Sequence, residues 1–179
     1  MCFFAVKTEV KMENKTAISI KKFVLPFAIM AGVIRVLIDV IPKLIILKGQ
    51  YYYGTFLISF IIEAIVITLL ILKFKRKNNN TLTLRNALKV GITFMTIVGI
   101  LFSLSAYIYD TFIDSTYQVN AAIDWAELFN KAEEVRKQQQ ENPPKGTIIG
   151  ILSGVVRFSI IGLFISFISG SILKTHNSL

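Results

Sequence analysis

Four ionisable side chains stand inside apolar stretches of this chain: Arg35, Asp39, Glu63 and Arg157. An ionised group near a bilayer centre costs at least about 2.5 to 3.5 kcal/mol, so each of them needs a partner or water. Two are positive and two negative. Arg35 and Asp39 are four residues apart and can pair along one helix face. At about 1.5 Å per residue, Glu63 falls about 14 Å below the outer end of its span and Arg157 about 15 Å below the outer end of its own. Arg35 comes to a comparable level, with Asp39 one helical turn further out. The four groups are therefore expected to form one polar layer inside a helix bundle. Such a layer can act as an ionic clasp that fixes which helices meet. It can also relay protons, pass an ion or bind an anion at Arg157. Glu63 is the leading functional candidate, because it lies near mid-span with no opposite charge in its own helix.

The elements that must carry these groups are apolar runs long enough to cross a bilayer as helices. Four spans are expected, at 23–47, 54–72, 87–109 and 147–173. The clearest is ALKVGITFMTIVGILFSLSAYIY, Ala87 to Tyr109, with no charge after Lys89. In the first, Pro42 is expected to end or kink the helix. With 179 residues, 54% of them hydrophobic, 17% charged and a mean hydropathy of +0.62, the chain is too apolar for an ordinary soluble domain. The fold class is all-α: an integral membrane bundle of four transmembrane helices, with one extracytoplasmic amphipathic helix.

Charge orients the bundle. Lys and Arg number five in the tail 1–22 and six between Lys73 and Lys89, against two from Lys43 to Tyr53 and one in the tail 174–179. Basic residues collect on the cytoplasmic side, so both termini and the Lys73–Lys89 loop are expected there. The segment from Asp110 to Gly146, with seven acidic and four basic residues, is then extracytoplasmic. Within it Ala122, Trp125, Phe129, Ala132 and Val135 recur at helical steps beside Leu128, which predicts an amphipathic helix over 120–140 ending before Pro143-Pro144. It is read as a packing lid or a partner-binding helix. The basic charges sit at membrane edges without interleaved stacking aromatics, which argues against nucleic acid. Met12 opens a natural-looking membrane-protein start, and translation is expected to begin at either Met1 or Met12.

Small residues at four-residue spacing mark a helix crossing. Gly146, Gly150, Gly154, Gly162 and Gly170 line the fourth span, with Ser166 in the row and Phe158 interrupting it; Gly91 and Gly99 lie with Ala87 and Ser103 on the third. Such rows let backbones approach closely in lipid, so these two spans are expected to pack together. A homodimer through the fourth span is the alternative.

Signatures of catalysis are missing where they would be expected. No HExxH, GxGxxG, GxxxxGK or GxSxG pattern occurs, the one cysteine is Cys2, and the one histidine is His176. Asp110 and Asp114, at the mouth of the third span, read as solvated helix ends, the alternative being a lipid-modifying site with Glu63. No catalytic, metal-binding or cofactor-binding residue is assigned, and no cofactor is expected.

The runs TLTLRNALKVGITFMTIVGILFSLSAYIYDTFIDSTY and KGTIIGILSGVVRFSIIGLFISFISGSILK, separated by a polar helix, resemble a bacterial family of membrane proteins called domain of unknown function 4199. The likeness covers about Lys21 to Lys174 and rests on an ALKVG-like entry to the third span, a YIYxxFID-like exit and a glycine-rich last span. Ser115 stands where the family often has proline. The resemblance implies location and four-span architecture, and no activity. The expected function is that of a non-catalytic structural or accessory membrane component, whose partners are the lipid bilayer and either a membrane protein or further copies of itself. A small transporter or channel component using the charged layer is the alternative, although no inverted repeat of the kind carriers use is visible.

Overall fold

A computed structural model describes residues 19–45, 49–141 and 148–175. Gly146, the Pro143-Pro144 stop, Met12, Cys2 and His176 lie outside them. The described residues form six α-helices and no strand: α1 Ile20–Leu44, α2 Gly49–Lys77, α3 Leu84–Ile108, α4 Tyr117–Glu127, α5 Ala132–Glu141 and α6 Ile148–Leu173. A π-helical turn, Tyr109–Ile113, prolongs α3. The helices α1, α2, α3 and α6 are each long and apolar enough to cross a membrane. This is a multi-pass membrane protein, all-α, whose outward residues such as Met30, Leu57 and Ile160 meet the lipid.

The spans outrun their apolar runs. The second continues as one helix from Leu72 through Lys73 and the Lys75-Arg76-Lys77 run, and two of its lysines lie over phenylalanine rings of α1. Lys73 Nζ stands 4.5 Å from the Phe27 ring centre and Lys77 Nζ 5.5 Å from that of Phe23. Pro42 does not stop α1. It sits in the last turn, and the helix closes at Ile45, whose N–H donates to Ile41 O.

Helix α3 is the centre of the bundle, packed on α6 on one side and α1 on the other. Its crossing with α6 has a regular antiparallel register, in which each four-residue step along α3 matches one back along α6. Ala87 meets Gly170, Gly91 meets Ser166, Met95 meets Gly162, Gly99 meets Phe158 and Ser103 meets Gly154. A Cβ at Gly162 would lie 2.5 Å from the Gly91 carbonyl oxygen, so neither backbone could keep its place. Gly150 is exposed in the first turn of α6, beyond these crossings. Hydroxyl pairs tie the same helices: Thr96 to Ser159 at 2.8 Å and, from α2, Thr68 to Ser169 at 2.9 Å.

One end of the bundle gathers basic residues. Lys75 Nζ donates to Leu173 O at the end of α6, where a cation suits the helix dipole. Thr175 exchanges hydrogen bonds with Leu82 and donates to Asn80 O, which binds the chain after α6 to the α2–α3 loop.

The segment between α3 and α6 folds as two helices where its periodicity predicts one. Asn130 takes φ 58°, and the N–H groups of Asn130 and Lys131 reach back to the carbonyls of Glu127 and Ala126. That pair of bonds closes a helix with a left-handed residue, a position asparagine tolerates. The break directs the polar α5 away from the bundle, and its neighbour is α4.

Candidate functional site

Lys43, in the last turn of α1, is buried. Its Nζ stands 2.8 Å from Asp39 Oδ2 and 4.0 Å from Asp110 Oδ1, between the rings of Tyr109, Tyr52 and Tyr117 at 4.7, 5.6 and 5.9 Å. The Tyr52 hydroxyl donates to Asp39 Oδ1 at 2.8 Å and accepts from Gln118 Nε2 at 3.2 Å. Burial pushes the Tyr117 hydroxyl up to about 12, so that ring faces the ammonium as a neutral phenol. Four elements meet here: α1 and α2, the π turn, and α4 above them. The π turn closes through Asp114 N–H to Tyr109 O, and its wider winding carries both Tyr109 and Asp110 to the lysine.

Two turns below Lys43, Arg35 and Glu63 form a second layer. Arg35 Nε is 4.0 Å from Glu63 Oε1, with both side chains under a tenth exposed. The guanidinium carbon lies 4.9, 4.8 and 5.8 Å from the ring centres of Phe56, Phe102 and Phe158, so α2, α3 and α6 each lend it an aromatic face. Across both layers two cations face three carboxylates. The surplus negative charge has an outlet at Asp110, whose side chain is 27% exposed.

Below Arg35 the charged groups give way to close-packed apolar side chains, with hydroxyls such as Ser166 and the Thr68–Ser169 pair among them. Val24, Ala28, Ile67, Ile71, Val90, Phe94 and Met95 are fully buried between the ion pair and the basic end. The charged network therefore occupies one half of the bundle, the half covered by α4.

The geometry differs from a single four-member layer. Arg35 pairs with Glu63 across helices, and Asp39 pairs one turn outward with Lys43 instead of with Arg35, because Tyr52 and Lys43 hold both carboxylate oxygens. Arg157 does not join them. It lies on the exposed face of α6, while its neighbour Phe158 turns inward onto Arg35. Sequence reasoning passed over Lys43, Tyr52 and Gln118, and read Asp110 as a solvated helix end. The signal for Lys43 was the same four-residue spacing that links Arg35 to Asp39; Gln118 and the three tyrosines carried none.

Helix α4 is anchored at both ends of this roof. Asp124 Oδ2 accepts from the Gly49 N–H at 2.9 Å, an anion at the N-terminus of α2. Asp114 Oδ1 accepts from the Thr116 hydroxyl and N–H and the Tyr117 N–H, opening α4. Those bonds, the Thr116 hydroxyl foremost, hold the Asp114 carboxyl below the usual carboxylate range. A lowered folded value means the contribution is complete above the unfolded pKa and fades as pH falls through the folded one. Exchange protection of the Thr116 and Tyr117 amides, corrected for intrinsic rate, is expected to drop below about pH 4. Asp114→Ala should abolish that pH dependence and leave α3 unchanged.

Among the described residues no group of three His, Cys, Asp or Glu side chains is placed to hold a metal ion. The family model described as Protein of unknown function (DUF4199) matches residues 26–175, and the chain belongs to that family. No curated protein and no solved structure matches it.

Proposed function

Taking that membership as the premise, we propose that the chain is a non-catalytic structural or accessory component of a bacterial inner membrane. Both termini and the basic α2–α3 loop face the cytoplasm, and α4 and α5 lie outside. The buried charges clasp α1, α2 and the end of α3 beneath α4, so that the outer helix pair is presented at a fixed position on the membrane.

One observation carries this reading. The buried charges pair within the half of the bundle under α4, with the surplus carboxylate reaching the surface at Asp110, while the other half holds fully buried apolar side chains and paired hydroxyls, with no buried charge among the described residues. Moving an ion or proton across would require ionisable groups or water through both halves. The test is flux in proteoliposomes holding the full-length chain. Proton and monovalent-ion flux under an imposed pH gradient is expected to equal that of protein-free vesicles. A flux above that baseline which Glu63→Gln removes would overturn the structural role in favour of a transporter or channel component.

A further inference from the structure

Between α1 and α2 lies a crevice of about 80 Å³ whose floor is Arg35, Glu63 and Ser59. These three side chains are each more than nine-tenths buried, and Arg35 Nε, Glu63 Oε1 and Ser59 Oγ have no hydrogen-bond partner among the described residues. Ser59 is an exception to a pattern. Thr68, Thr96, Ser159 and Ser166 each donate to the carbonyl four residues back in their own span, which is how a hydroxyl in a membrane helix satisfies itself. The mouth is apolar and opens sideways, at Met30, Ile34 and Ile62, which are 59%, 44% and 40% exposed on the lipid-facing surface.

We propose that this crevice binds the hydroxyl end of a neutral long-chain alcohol of the lipid phase. A hydroxyl has one proton to give and two lone pairs. It can donate to Glu63 Oε1 and accept from Arg35 Nε–H and Ser59 Oγ–H, meeting all three unsatisfied groups. Net charge excludes ions, because Arg35 and Glu63 already cancel: an added anion meets the Glu63 carboxylate and an added cation meets the guanidinium. Water offers the same oxygen chemistry, but the entrance opens onto hydrocarbon, where an alcohol can arrive laterally and leave its chain in the lipid. The volume is below the roughly 150 Å³ of a cavity that holds benzene, which fits a hydroxyl and its first few carbons. This site goes beyond the structural role and does not depend on it, since flux tests that role and ligand binding tests this one.

The experiment is thermal unfolding of the full-length protein in phosphatidylcholine nanodiscs with 1-dodecanol or dodecane. At ten times its dissociation constant the alcohol is expected to raise the midpoint by about 3–5 °C over the alkane. Ser59→Ala, which keeps the packing, should remove most of that difference, and Ala31→Leu, which fills the crevice from α1, should remove all of it. A diazirine-bearing dodecanol should label α1 and α2 peptides in the wild type alone. Equal shifts with alcohol and alkane, or no shift with either, would overturn the proposal and leave the three polar groups to water. A shift that both variants retain would overturn it by placing the alcohol elsewhere.

Discussion

Replacing Lys43 by methionine is expected to destabilise the bundle by about 3–5 kcal/mol, enough to deplete folded protein in membrane extracts. Methionine fills a similar volume, so the loss comes from charge. Lys43 Nζ is the cation 2.8 Å from Asp39 and 4.0 Å from Asp110, and without it two carboxylates are left on one buried site. The three tyrosine faces add to the loss, since a cation desolvated over an aromatic ring gains up to about 2 kcal/mol. Lys43→Arg is expected to recover little. A planar fork with five donors cannot take the place of a compact ammonium enclosed by three rings. Unfolding by SDS titration in mixed micelles measures the difference, and Asp39→Asn in the Lys43→Met background should restore part of the loss.

Gly162→Val is expected to cost about 3 kcal/mol or more, the upper end of what overpacking does. Its Cβ would press on the Gly91 carbonyl oxygen at 2.5 Å and on Met95 Cβ at 2.7 Å. A carbonyl held in a helix has nowhere to go, so α3 and α6 must separate along the register they share. Gly54 supplies the contrast. Nothing lies within 4 Å of a Cβ placed there, and Gly54→Ala in the same titration should stabilise by about 0.5–1 kcal/mol, the usual gain from replacing a helical glycine.

The four spans were legible because hydrocarbon imposes long apolar runs, and the α3–α6 crossing because close approach in lipid demands small residues at helical spacing. The same row held an unread warning about Arg157. Gly154, Phe158, Gly162 and Ser166 face α3, and Arg157 stands one residue from Phe158, about 100° around the helix from that row. Depth alone put Arg157 level with Glu63; angular position removed it. Lys43 was counted only among the basic residues of the Lys43–Tyr53 stretch and not among the buried charges, although α1 carries it inside the bundle and runs on to Leu44. The π turn at Tyr109–Ile113 and the left-handed Asn130 depend on local backbone hydrogen bonds that no periodicity records. Those two local features bring Asp110 to Lys43 and split the outer helix, so the outer end of the site was the least readable part.

The decisive measurement is a double-mutant cycle at Arg35 and Glu63 in the full-length chain, reading unfolding free energy for Arg35→Met, Glu63→Gln and the pair together. If the buried charges clasp the helices, each single variant strands one charge and loses more than about 2 kcal/mol, while the neutral double variant recovers at least about 1 kcal/mol of the summed loss. Single variants that unfold like the wild type, or losses that simply add, would contradict the clasp.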